Sequence, residues 1–299
     1  ISVVISAFNE EKKLPAVLSS VSWVDEIIVI DNESTDLTVQ IAKQHGAIVF
    51  TRANNPMLNV NKNYGFDQVH SEWILNLDGD EQVPDELADE IKRVIGSQSS
   101  HAGYWIPRKN IIFGKWIQHG LWWPDKQLRL FKKGQGKFPG KHIHEYISVT
   151  GTVGELQNPY IHHNYETISQ FIRKLDTIYT NNEMQNLASK GYKFQWFDTL
   201  RMPVGDFVKV YFSQRGYKDG VHGLILALLQ AFYSLVVVAK VWESEGFKDQ
   251  DLPLSNIQKE LSRAHKEVSY WEKTSQLQET NHPVTKLLIK LKRKYVANR

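Results

Sequence analysis

The chain has no cysteine among its 299 residues. That excludes disulfides, thiolate metal sites and a cysteine nucleophile, and it agrees with a reducing compartment. The two glycine-rich phosphate cradles are missing too. No Gly-x-Gly-x-x-Gly follows the first strand-like run and no Gly-x-x-x-x-Gly-Lys-Ser/Thr occurs, so a nucleotide would have to be held by side chains and a metal. Charge of one sign is scarce: the formal net charge is +3, with Lys and Arg spread among acids over most of the chain, and no nucleic-acid partner is expected. No basic region, apolar core and cleavage site stand before the opening run Ile1 to Ser6, so a cytoplasmic location is expected. Hydrophobic content of 41% and charged content of 23% are ordinary for a globular chain, long enough here for a large α/β domain with an appendage.

What is present begins with alternation. Ile1 to Ser6 is a β-branched apolar run, followed by Ala7-Phe8-Asn9-Glu10-Glu11 and an amphipathic stretch through Leu14, Val17, Leu18 and Val21. Ile27 to Ile30 repeats the pattern, closed by Asp31-Asn32-Glu33-Ser34-Thr35-Asp36 and a helical stretch to Gly46. Ala47 to Phe50 reads as a third strand, Asn59 to Val69 as a helix, and Ile74 to Leu77 as a fourth strand. Strands alternating with helices imply a parallel sheet with its ligands at the carboxyl ends of the strands. Those ends carry Asn9 and Glu10, then Asp31 and Asn32, then Asp78 and Asp80.

The fourth strand stops at Asp78-Gly79-Asp80. Carboxylates one residue apart point to opposite faces of a continuing strand, but glycine's conformational freedom would let the turn aim both at one point. Repelling charges held so would need a cation, and oxygen ligands suit Mg²⁺ or Mn²⁺. Further on, Gln127-Leu128-Arg129-Leu130-Phe131 alternates as an exposed-face strand does.

Phe8-Asn9-Glu10-Glu11, Val29 to Asp36, Asn61-Lys62-Asn63-Tyr64-Gly65 and Asp78-Gly79-Asp80, in this order, resemble the nucleotide-sugar domain of inverting family 2 glycosyltransferases. The resemblance implies the GT-A fold: a Rossmann-like mixed sheet flanked by helices over residues 1–165, with a nucleotide-sugar half (1–95) and an acceptor half (96–165), and a helical region over 166–299. Gly103 to Arg108, Phe113 to Ile117, Gly120 to Asp125 and His142 to Glu145 further resemble the subgroup that adds glucose to the inner core of bacterial lipopolysaccharide. This implies an enzyme moving glucose from UDP-glucose to a lipid-linked saccharide. A polyprenyl phosphate, another cell-surface polymer or a peptide are alternative acceptors, and a non-catalytic nucleotide-sugar-binding scaffold is the rival of another class.

By this resemblance Asp80 binds the divalent metal, Asp78 reaches the ribose or the metal through water, and Gln82 is a further metal-side ligand. Ala7, Asn9, Glu10, Asp31 and Asn32 would hold uracil and ribose, with Lys62 near the nucleotide and Arg129 facing the diphosphate. The general base of inverting transfer is expected at Glu145, beyond the Leu130-Phe131 strand and the glycine-rich loop, with Asp125 as second candidate. His162, after the strand-like Pro159-Tyr160-Ile161, is a candidate to close the metal shell, and Trp122 and Trp123 to stack on a sugar.

From Thr167 the pattern is helical. Val221 to Trp242 is the most apolar stretch, yet His222, Gln230, Ser234 and Lys240 interrupt it, which favours a helix between subunits of a homodimer or at a membrane surface over a span. Leu288 to Lys294 ends in a basic run suited to anionic lipid, as expected of a protein peripheral on the inner face of the cytoplasmic membrane.

Overall fold

The computed structural model describes residues 1–55, 58–97, 100–140 and 145–297. The chain forms two compact units, one of residues 1–111 and 123–164, the other of 112–122 and 165–299. The sequence reading assigns residues 112–122 to the first domain, whereas in the structure they fold with the second unit.

Unit one opens with β1 (Ser2–Ala7), α1 (Leu14–Ser20), β2 (Glu26–Asp31), α2 (Thr38–Gln44), β3 (Ile48–Thr51), α3 (Leu58–Gln68) and β4 (Trp73–Asp78). The next elements are β5 (Glu81–Gln82), α4 (Asp85–Gly96), β6 (Gly103–Ile106) and β7 (Arg108–Ile112); β8 (Lys115–Trp116) belongs to unit two. Then come β9 (Gln127–Lys132), β10 (Gly136–Lys137), β11 (Ser148–Val149), β12 (Val153–Glu155) and β13 (Tyr160–Tyr165).

The main sheet has the order β12-β6-β9-β4-β1-β2-β3. Strands β3, β2, β1 and β4 are parallel, and β9 runs antiparallel between β4 and β6, so the sheet is mixed. All of β1 is buried, as a strand covered on both faces must be. Val3, Ile5, Leu75 and Leu77 pack with Leu14, Leu18, Leu87 and Ile91 of α1 and α4; Val4, Ile28, Ile30 and Ile74 pack with Phe66, Phe131 and Phe138 on the other side. Pro84 precedes α4, whose first turn carries Asp85 and Glu86 against the positive end of the helix dipole.

Two sequence expectations fail here. Strand β9 is not half-exposed: Leu128, Arg129, Leu130 and Phe131 are all buried, because the strand lies inside the sheet. Its alternating cation marks a buried ion pair. Gly79, in turn, does not sit in the left-handed region. A Cβ there would stand 2.9 Å from Glu10 Cγ, so close approach is what demands glycine.

Unit two contains α5 (Ile168–Lys174), α6 (Thr180–Ser189), α7 (Asp198–Val208), α8 (Val221–Ser244), α9 (Leu254–Glu279) and α10 (Pro283–Ala297), with π-helical turns at Leu175–Tyr179 and Lys209–Ser213. Thr167 caps α5 by accepting from the Gln170 amide at 3.1 Å. Among the described residues α8 alone is long and apolar enough to cross a bilayer. Its polar interruptions all have partners in unit two: Gln230 and Ser234 donate to Asp206, Lys240 to Asp176 O and Asn181, and His222 to Phe113 O. They fasten α8 to protein.

Candidate active site

The parallel strands deliver their ends side by side, Ala7 beside Asp31 and Ser6 beside Asp78. The loops after β1 and β2 are stitched together by their own polar groups. Asn9, at φ 56°, accepts from the Thr35 amide at 2.8 Å, and its own amide donates to Ser34. The Glu10 amide donates to Thr38 Oγ1, and the Leu37 amide to Glu11. Asp31 is buried and accepts from the Ser34 amide at 3.1 Å. Asn32 is buried; its amide donates to Ser6 Oγ and Ala7 O, and its Oδ1 accepts from Asn61 Nδ2 at 2.7 Å. These residues thus build the floor under the strand ends.

Helix α3 brings three neighbours with distinct tasks. Asn61 also donates to Ala53 O, Lys62 reaches Asp78 Oδ1 at 2.5 Å, and Asn63 clamps the backbone of Phe138 through both its carbonyl and amide, at 2.9 Å each. The helix can lie this close only because residue 65 is glycine: a Cβ there would be 2.6 Å from Val4 and 2.8 Å from Ile30.

Asp78 and Asp80 do not converge on one point. Asp78 lies between two cations, Lys62 on Oδ1 and Arg129 on Oδ2 at 3.0 Å. Burial opposes its charge, but Lys62 and Arg129 outweigh burial and hold it well below the usual carboxylate range. Arg129 is itself buried rather than directed outward. It donates to Glu81 Oε1 at 2.5 Å and, at 3.4 Å, to Tyr160 Oη, while Glu81 Oε2 accepts from the Asp78 amide. Glu81 is fully buried; burial and Asp78 raise its pKa, with Arg129 pulling the other way.

Asp80 faces a different set. Strand β13 pairs with β5, placing His162 opposite Glu81, and the His163 amide donates to Asp80 O at 3.1 Å. Asp80 Oδ2 lies 3.7 Å from His162 Nε2 and 3.9 Å from Lys13 Nζ. Burial first, then the carboxylates of Glu81, Asp78 and Glu10, push its pKa up to about 7. A carboxylate so destabilised, beside an imidazole nitrogen, fits a divalent cation, which would reverse the local balance of charge. Asp80 and His162 would be the residues to hold such an ion, with Gln82 next on β5; among the described residues no cluster of three acids or histidines forms a cage by itself.

His142 to His144 lie outside the described residues, whereas Glu145 is within them. Half-buried, it accepts from Gly140 N at 2.5 Å and from Asn59 Nδ2 at 3.2 Å, so α3 supports both Glu145 and Asp78. Asp125 is committed elsewhere: Oδ2 accepts from Arg108 and from Asn110 Nδ2 at 3.0 Å, and Oδ1 from Gln127. Trp122 belongs to unit two, packed against its apolar cluster of Ile112, Ile117 and Phe171, while Trp123 belongs to unit one. Sequence reasoning missed Glu81, Asn110 and Tyr160. For Glu81 a signal existed, an acid three residues after Asp78 with no solvated helix to account for it.

The model of the glycosyl transferase family 2 matches residues 2–150, which include the β1, β2 and β4 strand ends, Lys62, Arg129 and Glu145. The chain belongs to glycosyl transferase family 2. It is therefore a glycosyltransferase, and its mixed sheet between helical layers is the GT-A architecture. The chain is 29% identical over 259 residues to an uncharacterized glycosyltransferase of Rickettsia typhi, covering 81% of this chain and 87% of that one. It is 21% identical over 253 residues to the lipopolysaccharide core biosynthesis glycosyltransferase LpsC of Rhizobium meliloti, covering 83% and 94%. The crystal structure of S. aureus TarS 1-349 covers 85% of this chain and 94% of its own at 15% identity, with a TM-score of 0.41, too low to transfer detail.

Proposed function

We propose that this glycosyltransferase moves glucose from UDP-glucose, with inversion, onto a lipid-linked saccharide such as the lipopolysaccharide inner core. The observation that carries the reading is the pair of opposed environments at the end of β4. Asp78 is charge-balanced by Lys62 and Arg129, while Asp80 stands beside His162 among carboxylates that, with burial, outweigh Lys13 at 3.9 Å. The likeness to LpsC supports the acceptor class.

In this reading Asp80 and His162 hold a Mg²⁺ or Mn²⁺ ion, with Gln82 beside them, and the ion when bound offsets the charge gathering on the departing diphosphate. The strand-end floor of Asn9, Glu10, Asp31 and Asn32 positions uracil and ribose over Ala7, with Lys62 and Asp78 alongside. Glu145 takes the proton of the acceptor hydroxyl as its oxygen bonds to the anomeric carbon. The bond from that carbon to the diphosphate oxygen breaks on the opposite side, its electron pair leaving with UDP. Glu145→Gln is expected to bind UDP-glucose as wild type does and to lose about 10³-fold in kcat, within the range for general bases. Chelation of divalent metal, or Asp80→Ala, is expected to abolish transfer. Full activity in excess chelator would refute the metal assignment.

Unit two would bring the enzyme to its lipid acceptor through α10. Val284, Leu287, Leu288 and Leu291 form an exposed apolar stripe on this helix, and Lys286, Lys290, Lys292, Arg293 and Lys294 accompany it. An apolar stripe among cations complements an anionic bilayer surface, here the inner face of the cytoplasmic membrane.

A further inference from the structure

A chain of polar contacts leads away from Asp80 to a carboxylate that the transfer reaction does not need. His162 on β13 faces Asp80 through Nε2 at 3.7 Å; its Nδ1 lies 2.8 Å from Asn110 Oδ1 on β7. Asn110 is fully buried, and its Nδ2 lies 3.0 Å from Asp125 Oδ2. Arg108 donates to that same oxygen through Nε at 2.8 Å and Nη2 at 2.5 Å.

We infer that Asp125 and Asn110 are positioning residues that fix the tautomer of His162 for metal binding. An ionised carboxylate only accepts hydrogen bonds, so the group Asn110 turns toward Asp125 must be its NH₂. The amide is planar, so its carbonyl oxygen then faces His162, and that oxygen only accepts. His162 must therefore carry its proton on Nδ1, which leaves the lone pair of the neutral ring on Nε2, the nitrogen directed at Asp80. The ion pair with Arg108 keeps Asp125 an acceptor and so anchors the order of donors. A histidine that binds metal through one nitrogen commonly donates its other N–H to an oxygen, and loss of such a partner costs 10–100-fold in metal affinity. This assignment rests on the metal reading above. It also gives Asp125 a task other than that of general base.

The test begins with wild-type protein free of metal at pH 8, where the ¹⁵N shifts and long-range ¹H couplings of His162 report its tautomer, the signals being assigned by their loss in His162→Gln. A protonated Nδ1 and unprotonated Nε2 are expected; a protonated Nε2, or an even mixture, overturns the inference. Calorimetric titration of Mn²⁺ in the presence of UDP then separates the two readings. If wild type binds no Mn²⁺, the metal site itself fails; if it binds Mn²⁺ with His162 in the opposite tautomer, only the relay fails. In Asn110→Ala, with the fold checked by circular dichroism, the tautomers should mix and Mn²⁺ binding weaken by about 10–100-fold. An unchanged tautomer and affinity in the folded variant would overturn the role of Asn110. Since Asp125 and Arg108 remain in that variant, a loss there reports on the contact to His162.

Discussion

The two units invert the usual relation between residue type and burial in opposite directions. Unit one buries groups that normally face water: Asn32, Asn61, Lys62, Glu81, Asn110 and Arg129 are each less than a tenth exposed. Unit two leaves in the open what is normally inside, with Val221, Leu224, Ile225, Leu228, Phe232 and Leu235 on α8 and Val284, Leu287, Leu288 and Leu291 on α10 all exposed. Buried ions are costly to desolvate, and a stripe of exposed leucines forgoes burial worth about 25 cal/mol per Å². Each departure is a clue to work done outside the core, polar chemistry in one unit and surface contact in the other.

The comparison breaks most sharply at Arg129. If the buried ions of unit one are stable only as a paired set, Arg129→Met, which strands Glu81 and half-strips Asp78, should lower unfolding free energy by about 3–5 kcal/mol, read by urea denaturation. Arg129→Met with Glu81→Leu should recover much of that loss, because the stranded charge goes with its partner. Equal destabilisation in the single and double variants would mean that packing, not charge, sets the cost.

A gentler test varies pH. The Asp80 carboxyl is raised from 3.8 to about 7 in the folded state, chiefly by burial and then by Glu81, Asp78 and Glu10. Between those values the native protein keeps a proton that the unfolded chain has released. The contribution is therefore full below about pH 4 and is lost as pH rises through about 7. Metal-free protein should lose stability over that window, Asp80→Asn should flatten the dependence, and Mn²⁺ should stabilise the wild type at the upper end. A wild-type profile as flat as that of the Asn variant would show that Asp80 is not electrostatically frustrated.

How much of this could be read beforehand depended on range along the chain. The strand and helix alternation from Ile1 to Asp80 is written in local apolar runs, and helix α3 at Leu58–Gln68 lies within a residue of its expected bounds. Arg129 misled because alternation in sequence looks the same whether the polar position meets water or a buried acid; only the strand order, with β9 between β4 and β6, tells them apart. The resemblance already implied separate roles for Asp78 and Asp80, but the partners that set them apart were hidden for the same reason. Lys62, Arg129 and His162 lie 16, 51 and 82 residues from the acids they face. Asn110 carried no signal of its own, since a single asparagine between Lys109 and Ile111 acquires meaning only from its two neighbours in space.

The smallest effect on stability should come from α10, and it sharpens the other half of the comparison. Leu287→Ser with Leu291→Ser alters exposed residues, so unfolding free energy should move by no more than about 0.5 kcal/mol per site. Sedimentation with anionic vesicles should nevertheless fall, whereas zwitterionic vesicles should bind wild type and variant equally weakly. Replacing Lys290, Lys292 and Lys294 by Gln should weaken anionic binding and its salt dependence together, because neighbouring cations supply about 1 kcal/mol each near a charged leaflet. The exposed stripe of α8 provides the control. Its six apolar residues have no cation among them, with Lys240 turned to Asp176 and Asn181, so it lacks the charge that would select anionic lipid. Leu228→Ser on α8 should therefore leave vesicle binding as it was. A loss there equal to that of the α10 variant would place both helices in the bilayer surface and would remove the distinction between them.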